Sequence, residues 1–325
     1  PDGGNQENQL AATARALLAL QGAGTSDANG RHADSVRLGW EQLLSRQRPD
    51  GTFDAGPIPD QHLMYSHAQT LIAICEASAM AADPKLRERL ASAAKRSVEY
   101  AVASQMPDGG WRYSPPDRSA DKKGDMSVTG WFLMALRTAE MAGMSIPQQT
   151  YDRLNAFLDA VHLTEESGIC VDERNMPTDG YGYQILPTQK VFVYRPALAA
   201  EGLLCRQHLG WDRDDPRITA GVRGLLERSP ISFRHRGKNV YAWYYQTQVF
   251  HNLGGDVWER WNDVMRKELP REQVTSGREK GSWETTYDQW GSTAGGRLYM
   301  TTLLTLMLES YYRHLPVYQR VSADP

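Results

Sequence analysis

The chain has 325 residues, 41% of them hydrophobic and 23% charged, and its 36 basic and 39 acidic side chains leave a net charge of −3. Such a chain can bury a substantial core without staples, and its balance excludes an electrostatic nucleic-acid binder, which needs a basic surface to neutralise phosphates. Three cysteines, at positions 75, 170 and 205, are too few for a disulfide framework, and the longest apolar runs, such as Leu303 to Leu308, fall far short of the roughly 20 residues of a bilayer span.

Taken in chain order, the hydrophobic pattern predicts helices of two kinds that alternate. Residues 6–21, 62–81, 126–143, 195–209, 240–254 and 295–313 are rich in Ala, Leu, Met and Thr and nearly free of Lys, as expected of helices buried on most sides. Residues 34–47, 85–104, 148–162, 216–228 and 257–269 carry charges on one face and apolar residues at three- and four-residue spacing on the other. Pro84, Pro147 and Pro216 sit at first-turn positions, and Asp83, Ser145, Asp215 and Asp256 are candidate caps.

An internal repeat punctuates this alternation. Gln47 to Phe53 and Gln105 to Trp111 share Gln-x3-Gly-x-aromatic, 58 residues apart, and each holds a Pro-Asp-Gly turn in which Pro presets φ and Gly takes a positive φ. Gln273 with Gly281-Ser282-Trp283 is a looser copy, and Asp179 to Tyr183 a degenerate one. Pro1-Asp2-Gly3-Gly4 resembles the tail of an earlier copy, so an outer helix is expected upstream, and neither a targeting signal nor a compartment can be read. Six apolar helices against five amphipathic ones predict an all-α fold of about six hairpins, one set inside and one outside, closed as a ring over residues 1–316 with a tail at 317–325.

Gln-x3-Gly-x-Trp is the repeat signature of squalene-hopene and oxidosqualene cyclases. On Gln105 to Trp111, and on Gln47 to Phe53 with Phe for Trp, the chain resembles a prenyltransferase and squalene-oxidase repeat protein. That resemblance implies a single α/α toroid. Further segments, among them Met126 to Trp131, Trp243-Tyr244-Tyr245 with Gln248, and Gly295 to Tyr299, resemble a bacterial subgroup of such toroids without an established activity.

If the inner helices run parallel, as that resemblance implies, their N-termini form a rim favourable to anions. The expected cavity and ligand-binding residues are Tyr65, His67, Trp131, Arg195, Tyr241, Tyr244, Gln248, His251, Trp290, Arg297 and Tyr299. Tyr241, Tyr244, Gln248 and His251 share one helical face, and such a polar stripe needs partners from neighbouring helices or from a ligand. Asp212-Arg213-Asp214-Asp215 spells the Asp-x-Asp-Asp of class II terpene cyclases, in which a carboxylic acid stays protonated so that it can donate its proton to an alkene or epoxide. Here it precedes Pro216 and an amphipathic helix, a placement that also suits helix capping. Asp125 and Glu284, with Asp288, are further candidate acid–base groups, and Trp283 and Trp290 could stack on sugars.

Cys170-x-Asp172 and the Cys205/His208 pair lack a convincing third ligand, so neither a metal nor a cofactor is expected. These features predict a toroid that binds a ligand or a protein without demonstrated catalysis. Two alternatives stand beside it: an isoprenoid cyclase or prenyl-diphosphate-handling enzyme, and a polysaccharide lyase or glycosidase. The expected partners are an isoprenoid or a glycan in the cavity, or a protein.

Overall fold

A computed structural model describes residues 8–118, 122–163, 169–171, 179–184, 191–234, 238–313 and 317. Pro1 to Gly4, Asp172 and nearly all of the 317–325 tail, on which expectations were placed, lie outside these. The described residues form twelve α-helices and four very short strands. They pack as two compact units, one of residues 7–159 and one from residue 160 onward.

In the first unit the predicted inner helices are α1 (Gln9–Gly22), α3 (Leu63–Met80) and α5 (Met126–Met141), and α3 packs against both of the others. The amphipathic helices α2 (Ala33–Ser45), α4 (Pro84–Ala103) and α6 (Gln148–Val161) alternate with them in sequence, and α3 also packs on α2 and α4. Thirteen of the 18 residues of α3 and 12 of the 16 of α5 are buried, as their largely apolar composition requires. On α4 only Leu86, Leu90, Ala93, Ala94, Ser97, Val98 and Ala101 are buried, the stripe expected of a helix with one wet face.

The second unit repeats the scheme. α7 (Pro196–His208), α9 (Val240–Leu253) and α11 (Gly296–Leu308) pack side by side in that order, and α8 (Pro216–Arg228) and α10 (Gly255–Arg271) cover them. α12 (Ser310–Arg313) lies against α9 and α11. Asp83 accepts from the N–H of Lys85 and Asp215 from that of Arg217, each at 2.8 Å, so both cap their helices. Asp256 does not cap: Gly254, at φ +66°, turns the chain from α9 directly into α10, which places Asp256 in the first turn of that helix. The expected helix over 295–313 is broken after Leu308 and is preceded by a π-helical turn at Gly291–Gly295.

Strands were not expected. β1 (His162–Leu163) pairs antiparallel with β3 (Gly180–Tyr181), and β2 (Ile169–Val171) pairs parallel with β4 (Val191–Val193). The degenerate repeat copy at Asp179 to Tyr183 therefore serves as an edge rather than a turn. Gly180 is needed there because a Cβ would stand 2.9 Å from the Cys170 sulfur.

The true repeats are structural clamps. Gln105 donates to Gly109 O at 2.8 Å and to Thr150 O at 3.0 Å, tying its own turn to α6. Gln47 donates to Ala93 O at 2.8 Å and to Ser97 at 2.9 Å, tying its turn to α4. Trp111 and Trp283 are buried and donate from Nε1, each at 2.8 Å, to Ala101 O and Leu269 O of the helix just before. The signature thus locks each turn to a covering helix, and this function is independent of any ligand.

Candidate functional site

A helix buried in two directions can offer a ligand only the stripe its neighbours leave uncovered. On α9 that stripe is Tyr241, Tyr244, Gln248 and His251, while every other residue of the helix is buried. On α11, which packs beside α9, the accessible positions from Leu298 onward are Leu298, Thr301, Thr305 and Leu308, at the same spacing.

The α9 stripe has neutral hydrogen-bonding chemistry. The Tyr241 hydroxyl donates to Glu201 Oε1 of α7 at 3.3 Å and lies 3.3 Å from the Tyr245 hydroxyl. Tyr244 meets the Tyr245 ring edge-on at 5.2 Å between centroids. The Gln248 Nε2 is buried without a protein hydrogen-bond acceptor among the described residues, an arrangement that costs free energy unless something else accepts from it. His251 packs edge-on against Trp258 at 4.9 Å, and burial lowers its pKa, so the imidazole is neutral at pH 7 and one ring nitrogen can accept a proton.

In the first unit, Tyr65 and Asp125 meet at the N-terminal ends of α3 and α5. The Tyr65 hydroxyl is 2.6 Å from the Ser127 hydroxyl, which donates to Asp125 Oδ1 at 2.5 Å. The Ser127 N–H donates to the same oxygen at 3.0 Å, so Asp125 is the N-cap of α5. Burial raises the Asp125 pKa, opposed by the hydrogen bonds of Ser127 and Tyr113 and by Arg112, 3.8 Å away. The half-buried Tyr65 phenol is thus linked through one hydroxyl to a buried carboxyl that holds its proton more tightly than usual. Tyr113 and Arg112 were missed from sequence, because nothing in their loop marks them as facing the cap.

Other candidates are placed differently. His67 is buried among Phe53, Tyr100 and Phe132, with Nε2 3.2 Å from Ser97 O, and burial lowers its pKa to about 4. It belongs to the core between α3 and α4. Trp131 and Tyr299 are also buried, and Tyr299 packs so closely on Gly295 that a Cβ there would lie 2.5 Å from its ring. Arg195 precedes α7 on the surface with its guanidinium 5.3 Å from the Tyr183 ring centroid. Arg297 grips the Glu284 carboxylate with contacts of 3.2 and 3.1 Å. Asp212 and Asp214 are exposed, and Asp215, paired with Arg217 at 2.7 Å, has its carboxyl held below the usual range by that guanidinium. A proton donor requires the opposite shift.

Two buried ionisable groups hold the segment before α11, its own Asp288 and Lys238 from the start of α9. Asp288 accepts from Val240 N at 2.9 Å, Trp290 N at 3.1 Å and Gly291 N at 2.6 Å, and burial raises its pKa despite these bonds. Lys238, whose pKa burial lowers, donates to Glu284 O at 3.0 Å. Lys238 escaped the sequence reading, although a Lys directly before the Asn239 cap of a Lys-poor helix was an available signal.

The sequence matches no known protein-family model, and no curated protein matches it. Solved structures do match. A sugar epimerase from a ruminal bacterium superposes with a TM-score of 0.59 at 13% identity, covering 93% of this chain and 87% of that one. An α-amylase from Clostridium perfringens gives 0.55 at 9% identity, covering 93% and 85%. An inactive variant of an α-1,6-mannanase from Salegentibacter sp., in complex with α-1,6-mannotriose, gives 0.53 at 10% identity, covering 95% and 90%. At such identities the likeness shows fold alone: the chain is an all-α protein of the α/α toroid class. The narrower resemblance to squalene cyclases and prenyltransferases finds no support in these matches.

Proposed function

We propose that this toroid binds and acts on a neutral carbohydrate, which lies along the accessible stripe of α9. The observation that carries the reading is the chemistry of that stripe: two phenols, a primary amide and a neutral imidazole, with no charged side chain among them. Phenol rings offer flat apolar faces with a hydroxyl at the edge. The amide offers a donor and an acceptor, a match for vicinal hydroxyl groups. An isoprenoid would instead call for a continuous apolar lining, and a diphosphate for cations beside the stripe.

Support also comes from the company the fold keeps, since the matching structures named above include an epimerase, an amylase and a mannanase. Fold likeness alone does not transfer an activity. His251 is the proposed base, because burial keeps its imidazole neutral and able to accept a proton.

The test is calorimetric titration with α-1,6-mannotriose, cellobiose and maltotriose, followed by product analysis of each mixture. At least one glycan binds the parent protein, and Tyr244→Ala and Gln248→Ala each weaken it by about tenfold, the weight of one good polar or aromatic contact. Undiminished binding in both variants would remove α9 from the site. Cleavage or epimerisation of the bound glycan, lost in His251→Ala with binding kept, assigns the chemistry; a glycan recovered unchanged from the parent protein refutes the catalytic part.

A further inference from the structure

The loop ahead of α11 combines strain, rigidity and exposed aromatic rings. Tyr287 has φ +67°, the one non-glycine residue in the described chain with a positive φ. Bulky residues avoid that region, and such strain persists only where the surroundings over-determine it. The surroundings do so here. Lys238 holds Glu284 O, Asp288 clamps Val240 N, and Arg297 grips the Glu284 side chain, so the loop is pinned to the start of α9 and to α11 on both sides of the strained residue.

Between these pins the loop displays two rings. Tyr287 is 54% exposed and Trp290 46% exposed, and neither has an aromatic or cationic partner among the described residues. Indole and phenol rings left this open forgo burial that the fold could have supplied. The other side chains exposed from residue 286 to residue 293, Thr286, Gln289, Ser292 and Thr293, are polar and uncharged, and the exposed Glu284 carboxylate at the head of the loop is paired with Arg297. A protein or lipid partner would call for a contiguous apolar patch. Two rings on a pinned loop, set among hydroxyls and an amide, instead suit a pyranose, whose C–H face packs on a ring while its hydroxyls turn to the polar neighbours.

From this juxtaposition we infer that Tyr287 and Trp290 form a rigid outer subsite for a further sugar ring, continued from the Tyr241 end of the α9 stripe. The inference rests on the carbohydrate reading above. Continuity follows from the Asp288 clamp, because its partner Val240 is the residue before Tyr241. The strain has a use in this account: a pre-set loop loses little conformational freedom when it binds.

The experiment titrates neutral α- and β-linked gluco- and manno-oligosaccharides of two to six rings into the parent protein and into Trp290→Ala, Trp290→Phe and Tyr287→Gly. In the parent, affinity rises with chain length by roughly tenfold beyond the disaccharide, one aromatic stacking contact. Trp290→Ala and Tyr287→Gly abolish that rise and leave disaccharide affinity unchanged, while Trp290→Phe retains most of it. Tyr287→Gly melts no lower than the parent, because glycine relieves the positive φ, so its loss of affinity is not a folding defect. If the rise with length survives in both Trp290→Ala and Tyr287→Gly, the subsite is refuted while the α9 reading stands. If the parent binds no glycan of any length, both fall.

Discussion

The glycine of each repeat turn provides a sharp test of why the repeat exists. Gly51 and Gly109 have φ of +87° and +95°, and a Cβ on them would stand 2.2 Å from Arg96 O and 2.0 Å from Arg153 O, carbonyls of the covering helices α4 and α6. Gly143, in the same unit, has φ +84° but nothing within 4 Å of its Cβ position. Replacing Gly143 by Ala therefore charges only the left-handed backbone, about 1 kcal/mol. Replacing Gly109 adds a steric term. A carbon resting against a carbonyl oxygen wants roughly 3.3 Å, so α6 or the turn must retreat by about 1.3 Å from the 2.0 Å position. Such overpacking costs a further 1–3 kcal/mol or so, which brings Gly109→Ala to about 3 kcal/mol. In urea titrations followed by circular dichroism, with a slope of about 3 kcal/mol/M, the midpoint moves by about 0.3 M for Gly143→Ala and by about 1 M for Gly109→Ala and Gly51→Ala. Equal shifts in all three variants would show that the glycines serve the turn alone and that close approach of the covering helix is not what the repeat secures.

Other consequences can be measured alongside. Gln105→Ala removes the donor to the buried Gly109 and Thr150 carbonyls and lowers stability by about 2 kcal/mol, whereas Gln273→Ala, at an exposed turn, costs less than about 0.5 kcal/mol in the same denaturation assay. Trp111→Phe keeps the packing but removes the donor to Ala101 O, a loss of about 1 kcal/mol by thermal melting; no loss would mean that the ring alone holds the turn. His67 takes up its proton near pH 4 when folded and near 6.5 when unfolded, so the unfolded chain binds more protons between these values and stability falls as pH drops from 6.5 to 4. The fall from 6.5 to about 4 corresponds to about 3 kcal/mol of stability. His67→Phe removes that part of the slope in melting curves taken across the interval, and an unchanged slope would place the proton uptake elsewhere.

The helices were legible because each one's burial is written into its composition. α4 carries its charges on one face and α5 carries almost none, and both run within two residues of where periodicity placed them. Caps such as Asp83 and Asp215 were equally plain, since a carboxylate beside a first-turn proline has a local partner two residues on. The α9 stripe was legible too, because Tyr241, Tyr244, Gln248 and His251 recur with the helical period. His67 shows where such reading stops: a histidine near the start of an inner helix resembles a rim residue, yet its ring turns toward α4 and is enclosed by Phe53, Tyr100 and Phe132.

Period and turn chemistry, which act within a few residues along the chain, therefore determined the all-α class, the alternation of buried and covering helices, and which face of α9 stays accessible. Tertiary structure alone decided that Tyr65 reaches the Ser127 hydroxyl beside Asp125, that Glu201 meets Tyr241 from another helix, and that Asp288 and Lys238 pin the loop bearing Tyr287 and Trp290. A carboxyl's proton affinity and a ring's exposure depend on groups dozens of positions away in sequence, and only the packing of the helices brings those groups within 3 Å or so.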